Sequence, residues 1–249
     1  MKIGVIVAMD KEFNALSSLL ADKKEMQILG KNCIEGKLPL MQNAECRMQN
    51  QRSAAEGKAN EVLIMQSGIG KVNAAIGVMN MINTFKPDVV VSSGCAGGAD
   101  INLEIGDVVV SSSCQYHDVY CGPENLAGQV QGMPSEFETP QELVDKALSV
   151  NEVLSDTKVV AGKIATGDWF VDSVDKMKLI HSDVADAKAV DMESCAIAQT
   201  CFVNNIPFVS FRVISDIPLK ENNAADYADF WATMAEKSFT VNKEFLNRL

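Results

Sequence analysis

Runs of apolar, β-branched residues alternate along the chain with stretches whose apolar positions recur every three or four residues. KIGVIVAM predicts a buried first strand, and from Asp10 a helix follows with Phe13, Leu16, Leu19 and Leu20 on one face. MQILG and CIEGKLPLM are weaker strand candidates, and the polar, turn-rich stretch from Gln49 to Asn60 reads as a surface excursion. EVLIMQS predicts a strand, and SGIGKVNAA turns sharply into a helix that runs to about Phe85, where Lys86-Pro87 ends it. DVVVS is another strand, and the SGCAGGAD after it reads as a glycine loop. IGDVVVSSSC and KVVAGKIATGD supply two more strands, with helices from Pro140 to Val150 and from Val171 to His181. Further on, VDMES opens a helix carrying Asp191 and Glu193 in its first turn, Asn204-Asn205 and Pro207 stop it, and PFVSFRVI is a strand ending on Asp216. From Ala224, the spacing of Phe230, Met234, Phe239 and Phe245 predicts a closing helix packed on the sheet.

This alternation, with acids and glycines gathered at strand ends, fits a single three-layer α/β/α domain over 1–249 with a central mixed sheet. No linker, repeat or low-complexity tract divides it. The length of 249 residues and a hydrophobic content of 47% allow a full core. A net charge of −11 argues against nucleic-acid or anionic-membrane partners and suits a small neutral or cationic ligand. The cysteines number 7, are scattered and form no CxxC pair, and the histidines are only 2, so a reducing cytoplasm and a metal-free site are expected. Asp10 and Glu12 interrupt the first apolar run too soon for a signal peptide, and no run reaches transmembrane length.

Candidate chemistry sits where strands end. In α/β sheets the carboxyl ends of strands border the ligand crevice, which places Ser215 and Asp216 beside a pocket and Glu12 at the handover from first strand to first helix. Local pattern leaves a plainer reading open, because acids at helix starts also offset the macrodipole. Trp169 and Phe170, after a strand, suit stacking on a flat ring, although such aromatics also serve as core. SGCAGGAD is no dinucleotide fingerprint and GIGK is no P-loop, so nucleotide phosphates are not the expected ligand.

The ordered set GVIVAMDKEF, SGIGKVNAA, SGCAGGAD, IGDVVVS, YHD, TGDWFV, VDMES and FRVISD resembles the 5′-methylthioadenosine/S-adenosylhomocysteine nucleosidases of the purine nucleoside phosphorylase superfamily, over nearly the whole chain. The resemblance implies a partly barrel-like sheet and cofactor-free hydrolysis of an N-ribosyl bond in a cytoplasmic homodimer. It implies Asp216 as the donor toward adenine N7 with Ser215 holding it, Glu12 as general base on water, and Glu193 on the ribose hydroxyls. Met192 would floor the sugar, Phe170 would stack on adenine, and the Val171 backbone would read its edge. Ile69 and the Ala96-Gly97 backbone would line the ribose and base region, Arg212 would sit near the water and Glu12, and Asp191 joins the binding set. Two departures stand out. Cys95 replaces a serine, exchanging a hydroxyl for a weaker hydrogen-bonding thiol. The segment VYCGPENLAGQVQGMP lacks the aromatic cluster that in those relatives covers the 5′-alkylthio group across a dimer interface, which leaves the 5′ preference open. A phosphorylase on the same fold is the nearest rival, disfavoured because Glu12 would repel phosphate. A binding protein without turnover is the second alternative.

Overall fold

The computed structural model describes residues 1–38, 60–154, 157–220, 227, 230 and 240–249. Ten strands form one sheet: β1 (Lys2–Val7), β2 (Ala21–Ile28), β3 (Lys31–Lys37), β4 (Glu61–Gln66), β5 (Val89–Gly98), β6 (Val108–Tyr116), β7 (Phe137–Glu138), β8 (Val159–Thr166), β9 (Ala187–Asp191) and β10 (Phe208–Asp216). Among the described residues the helices are α1 (Asp10–Ser17), α2 (Lys71–Phe85), α3 (Gln141–Leu148), α4 (Val174–Asp183), α5 (Ser194–Val203) and α6 (Thr240–Leu246).

The strand order is β10-β6-β8-β9-β5-β1-β4-β3-β2, with β7 beside β6. A further pairing of β10 with β5 closes β5, β10, β6, β8 and β9 into a five-stranded mixed barrel, from which β1 to β4 extend as an open wing. β5 and β10 are parallel, whereas β6 runs antiparallel to β10 and β9 antiparallel to β5. Strands enclosed on both faces read as continuous apolar runs, as VVV in β5 and VVV in β6 do. The wing strand β2 is largely exposed and correspondingly reads ADKKEMQI. Helix α2 buries Ala74, Gly77, Val78, Met81 and Phe85, a three-to-four spacing that seats one face against β1, β4 and α5.

Three sequence expectations change. SGCAGG is not a loop: β5 runs through it to Gly98, because the barrel pairs its backbone with β10 and leaves little room for side chains. A Cβ on Gly94 would lie 2.8 Å from Glu12 Oε1, and one on Gly97 would lie 3.1 Å from Val190 Cγ2. Asp191 is not in the first turn of a helix but ends a short strand, β9, that the sequence reading missed; Glu193 is the N-cap of α5. The helix expected from Val171 begins at Val174, where Ser173 caps it by accepting from the Lys176 N–H at 3.4 Å. The excursion at 49–59 and most of the closing helix from Ala224 lie outside the described residues, although Phe230 and Phe245 are both buried.

Candidate active site

A cavity of about 110 Å³ opens at the carboxyl ends of β1, β5 and β10. Glu12, Ile69, Cys95, Ala96, Gly97, Phe170, Val171, Asp191, Met192, Glu193, Ser215 and Asp216 all line it, with Ala8, Met9, Trp169, Val190 and Tyr227. Arg212 is not on this wall. It lies behind, in a smaller cavity shared with Glu12 and Glu193.

Glu12 is positioned by the start of its own helix. As the third residue of α1 it reaches back so that Oε2 accepts from the Ala8 and Met9 N–H groups at 2.9 and 3.0 Å. Its Oε1 accepts from the Cys95 N–H at 3.2 Å, and the Cys95 thiol lies 3.8 Å away. Burial drives the Glu12 carboxyl upward from the usual carboxylate range; the Met9 amide and the Arg212 charge pull it back in part. The same burial, reinforced by Glu12, pushes the Cys95 thiol well up, so this sulfur stays protonated and can donate.

Glu193 is fixed from another element. Its Oε1 accepts from the Gly70 N–H at 2.9 Å, at the N-terminus of α2, where unpaired amides and the helix dipole favour a carboxylate. Burial, with Asp191 adding repulsion, raises its pKa to about 7.

Asp191 is engaged wholly by protein partners. Its Oδ1 accepts from Thr166 Oγ1 at 2.5 Å; its Oδ2 accepts from the Ser194 N–H at 3.0 Å, Ser194 Oγ at 2.5 Å and Arg212 Nε at 2.7 Å. Arg212 in turn donates from Nη2 to Ser92 Oγ at 2.9 Å and lies 4.0 Å from Glu193 Oε2. This buried pair sets the charge behind Glu12 and Glu193.

At the far wall, β10 shifts register between Ile214 and Asp216, a bulge that re-aims the strand end. Ser215 and Asp216 thereby both reach the cavity, and Ser215 Oγ donates to Asp216 Oδ1 at 2.6 Å. Phe170 is half exposed at the mouth and meets Tyr227 edge to face, with ring centroids 5.6 Å apart. Tyr227 escaped the sequence reading because one tyrosine in a helical stripe looks like core. Met9 escaped as the apolar end of a strand. Among the described residues, no group of three or more His, Cys, Asp or Glu side chains is arranged to hold a metal.

The cavity thus offers carboxyl groups in different surroundings. Glu12 is desolvated yet held by amides, Glu193 sits on a helix terminus, and Asp216 is backed by a hydroxyl. Groups so separated can divide acid and base roles around one substrate.

The Phosphorylase superfamily model matches residues 2–247. A 5′-methylthioadenosine/S-adenosylhomocysteine nucleosidase from Exiguobacterium sp. is 39% identical over 250 residues, covering 100% of this chain and 99% of the relative. The Neisseria meningitidis enzyme of that name, solved with methylthio-immucillin-A, superposes with a TM-score of 0.86 at 31% identity, covering 100% of this chain and 99% of the other. Futalosine hydrolase of Helicobacter pylori superposes with a TM-score of 0.85 at 25% identity, covering 100% and 98%.

Proposed function

This chain belongs to the phosphorylase superfamily and, within it, to the 5′-methylthioadenosine/S-adenosylhomocysteine nucleosidases; from that premise we propose that it hydrolyses the N-glycosidic bond of 5′-methylthioadenosine and S-adenosylhomocysteine to adenine and the 5-substituted ribose. The observation that carries the reading is the meeting of Glu12, Glu193 and Asp216, distant in sequence, on one cavity.

Cleavage needs help at both ends of the breaking bond. Asp216 donates toward adenine N7, and Ser215 keeps its carboxyl oriented. Glu12 takes a proton from the attacking water; its desolvated setting raises its basicity toward that task. Glu193 accepts from the ribose hydroxyls and faces the positive charge that grows on the sugar. Met192 floors the ribose, Phe170 stacks on the base, and the Val171 backbone reads its edge. Ile69, Ala96 and Gly97 line the remainder, Cys95 donates beside the water, and Arg212, paired with Asp191, stands behind Glu12.

Phosphorolysis is disfavoured by charge. Among the described residues lining the cavity there is no lysine or arginine, and Arg212 is already committed to Asp191. The protein acts as one domain, a reading supported by the one ten-stranded sheet among the described residues. It works as a homodimer in the cytoplasm; the exposed apolar residues Val72 and Ile76 on α2 and Tyr120 support a subunit contact. Among the described residues, no helix is long and apolar enough to cross a membrane.

The test is adenine release in phosphate-free buffer from methylthioadenosine, S-adenosylhomocysteine and 5′-deoxyadenosine, with inosine and futalosine as competitors for the reading. Adenine from the 5′-substituted adenosines without phosphate is expected. A strict phosphate requirement, or cleavage of futalosine alone, would replace the proposal.

A further inference from the structure

Lys71, Asp118 and Asp168, the charged residues of the segments GIGK, YHD and TGD, take no part in the reaction itself and meet at the N-terminus of α2. Lys71 Nζ donates to both carboxylate oxygens of Asp118, each at 2.7 Å, and Asp118 Oδ2 also accepts from the Asp168 N–H at 2.9 Å. Asp168 Oδ1 accepts from the Lys71 N–H at 2.8 Å, so two chain segments are closed into a ring through Lys71. The next amide back along the chain, Gly70 N–H, is the one that holds Glu193. Two consecutive amides at one helix start therefore carry Asp168 and Glu193, which lead to the base-stacking segment and the ribose carboxylate respectively.

The ring is well seated. Lys71 Nζ stands 5.3 Å from the centre of the Tyr116 ring, and the ion pair is largely buried on the Asp118 side. Gly70 has φ +95°, and a Cβ there would press to 3.1 Å from Asp168 Oδ1. Trp169 packs on His117 with ring centroids 5.2 Å apart, so the residue after Asp168 is held by the residue before Asp118. Phe170 follows directly at the cavity mouth.

We propose that Lys71, Asp118 and Asp168 form a latch that positions the base-stacking segment Trp169–Val171 relative to Glu193, so that base and ribose are gripped in one register. These are positioning residues: none of them lines the cavity. The proposal deepens the nucleosidase reading and rests on it for its substrate. Losing the latch loosens ground state and transition state together, which appears as a raised KM more than a lowered kcat.

The experiment measures kcat and KM for methylthioadenosine in Lys71→Met, Lys71→Arg, Asp118→Asn and Asp168→Ala, alongside acrylamide quenching of Trp169 in a Trp231→Phe background. Lys71→Met, Asp118→Asn and Asp168→Ala should raise KM roughly tenfold or more, change kcat less, and increase Trp169 quenching; Lys71→Arg should restore most of both. Asp168→Ala removes the acceptor of the Lys71 N–H at an exposed position, opens no buried cavity and keeps the test valid should Lys71→Met fold poorly. Wild-type KM and quenching in folded Asp168→Ala would overturn the latch, as would a fall in kcat with KM and quenching unmoved. If the wild type cleaves no nucleoside, the nucleosidase reading fails, while Trp169 quenching still judges the latch by itself.

Discussion

Ser215 Oγ lies 2.6 Å from Asp216 Oδ1 and 3.2 Å from the Ala96 carbonyl oxygen, so the hydroxyl ties the end of β10 to β5 and steadies the carboxyl beside it. The two neighbours share the cavity only because the strand bulges between Ile214 and Asp216.

Asp216→Asn keeps the shape but removes the transferable proton. Its kcat on methylthioadenosine should fall about 10²-fold or more, the scale of a lost general acid. Ser215→Ala leaves the acid in place with one fewer restraint and should cost roughly tenfold, less than the acid itself. Steady-state adenine release compares the two, and equal activity of Asp216→Asn and wild type would remove the acid from the mechanism.

The raised pKa of Glu193 gives a pH signature in both activity and stability. Burial and Asp191 lift it from 4.5 to about 7, so the ionised form that accepts from the ribose hydroxyls is lost below neutrality. kcat/KM should therefore drop as pH falls through about 7, with an apparent value shared with Glu12, which is also raised. Stability runs the other way. A folded pKa above the unfolded one contributes stability that is present below pH 4.5 and lost as pH rises through about 7. The loss is on the order of 3 kcal/mol, and Glu193→Gln should flatten this part of the thermal-midpoint profile. A kcat/KM flat from pH 5 to 8 contradicts the assignment.

Much of this arrangement is legible in the amino-acid sequence alone. The β-branched runs of β1, β5 and β10 are strands because they are enclosed, and the acids at their ends point to a crevice. Less legible was the part that depends on closure of the barrel. SGCAGG looks like a loop until β10 pairs with it, and AKAVD is too short to announce β9, which pairs with β8 along most of its length. The function of Asp191 was equally hidden. Sequence places it next to the site, but only packing shows that all its hydrogen bonds in the structure go to Thr166, Ser194 and Arg212. Arg212, expected near the water and Glu12, lies beside Glu12 in the smaller cavity behind the main one, a placement only packing reveals.

Cys95 gives a prediction of gain. Its thiol stands 3.8 Å from Glu12 Oε1, where a hydroxyl would donate more strongly. Cys95→Ser should raise kcat a few-fold, roughly the value of one neutral hydrogen bond, while thermal stability stays near wild type. Since burial keeps the sulfur protonated, the effect should persist across neutral pH. A slower serine variant would show that the thiol fits this chain for a reason other than hydrogen bonding to Glu12.

The last prediction concerns the pair behind the cavity. Asp191 and Arg212 are almost completely buried, and their 2.7 Å contact is the principal compensation for the cost of taking the guanidinium out of water. Asp191→Ala leaves that cation facing only Glu12 and Glu193 for charge balance and strips three further donors, Thr166 Oγ1 and the Ser194 N–H and Oγ, of their acceptor. Breaking one side of such a pair costs about 3–5 kcal/mol. Denaturant unfolding should show a loss of this size for Asp191→Ala and a smaller one for Asp191→Asn, whose amide still accepts from Thr166. The double variant Asp191→Ala with Arg212→Met should recover part of the loss, because no unpaired charge is left inside. That recovery should not extend to activity, since Glu12 would lose the cation that draws its pKa down, its protonation would shift further upward, and less of the base would be free at neutral pH, whereas Glu193 loses the raising charge of Asp191 together with the lowering charge of Arg212. Stability and turnover separating in this way marks Arg212 as the charge that keeps Glu12 usable; full recovery of both would assign the pair to folding alone.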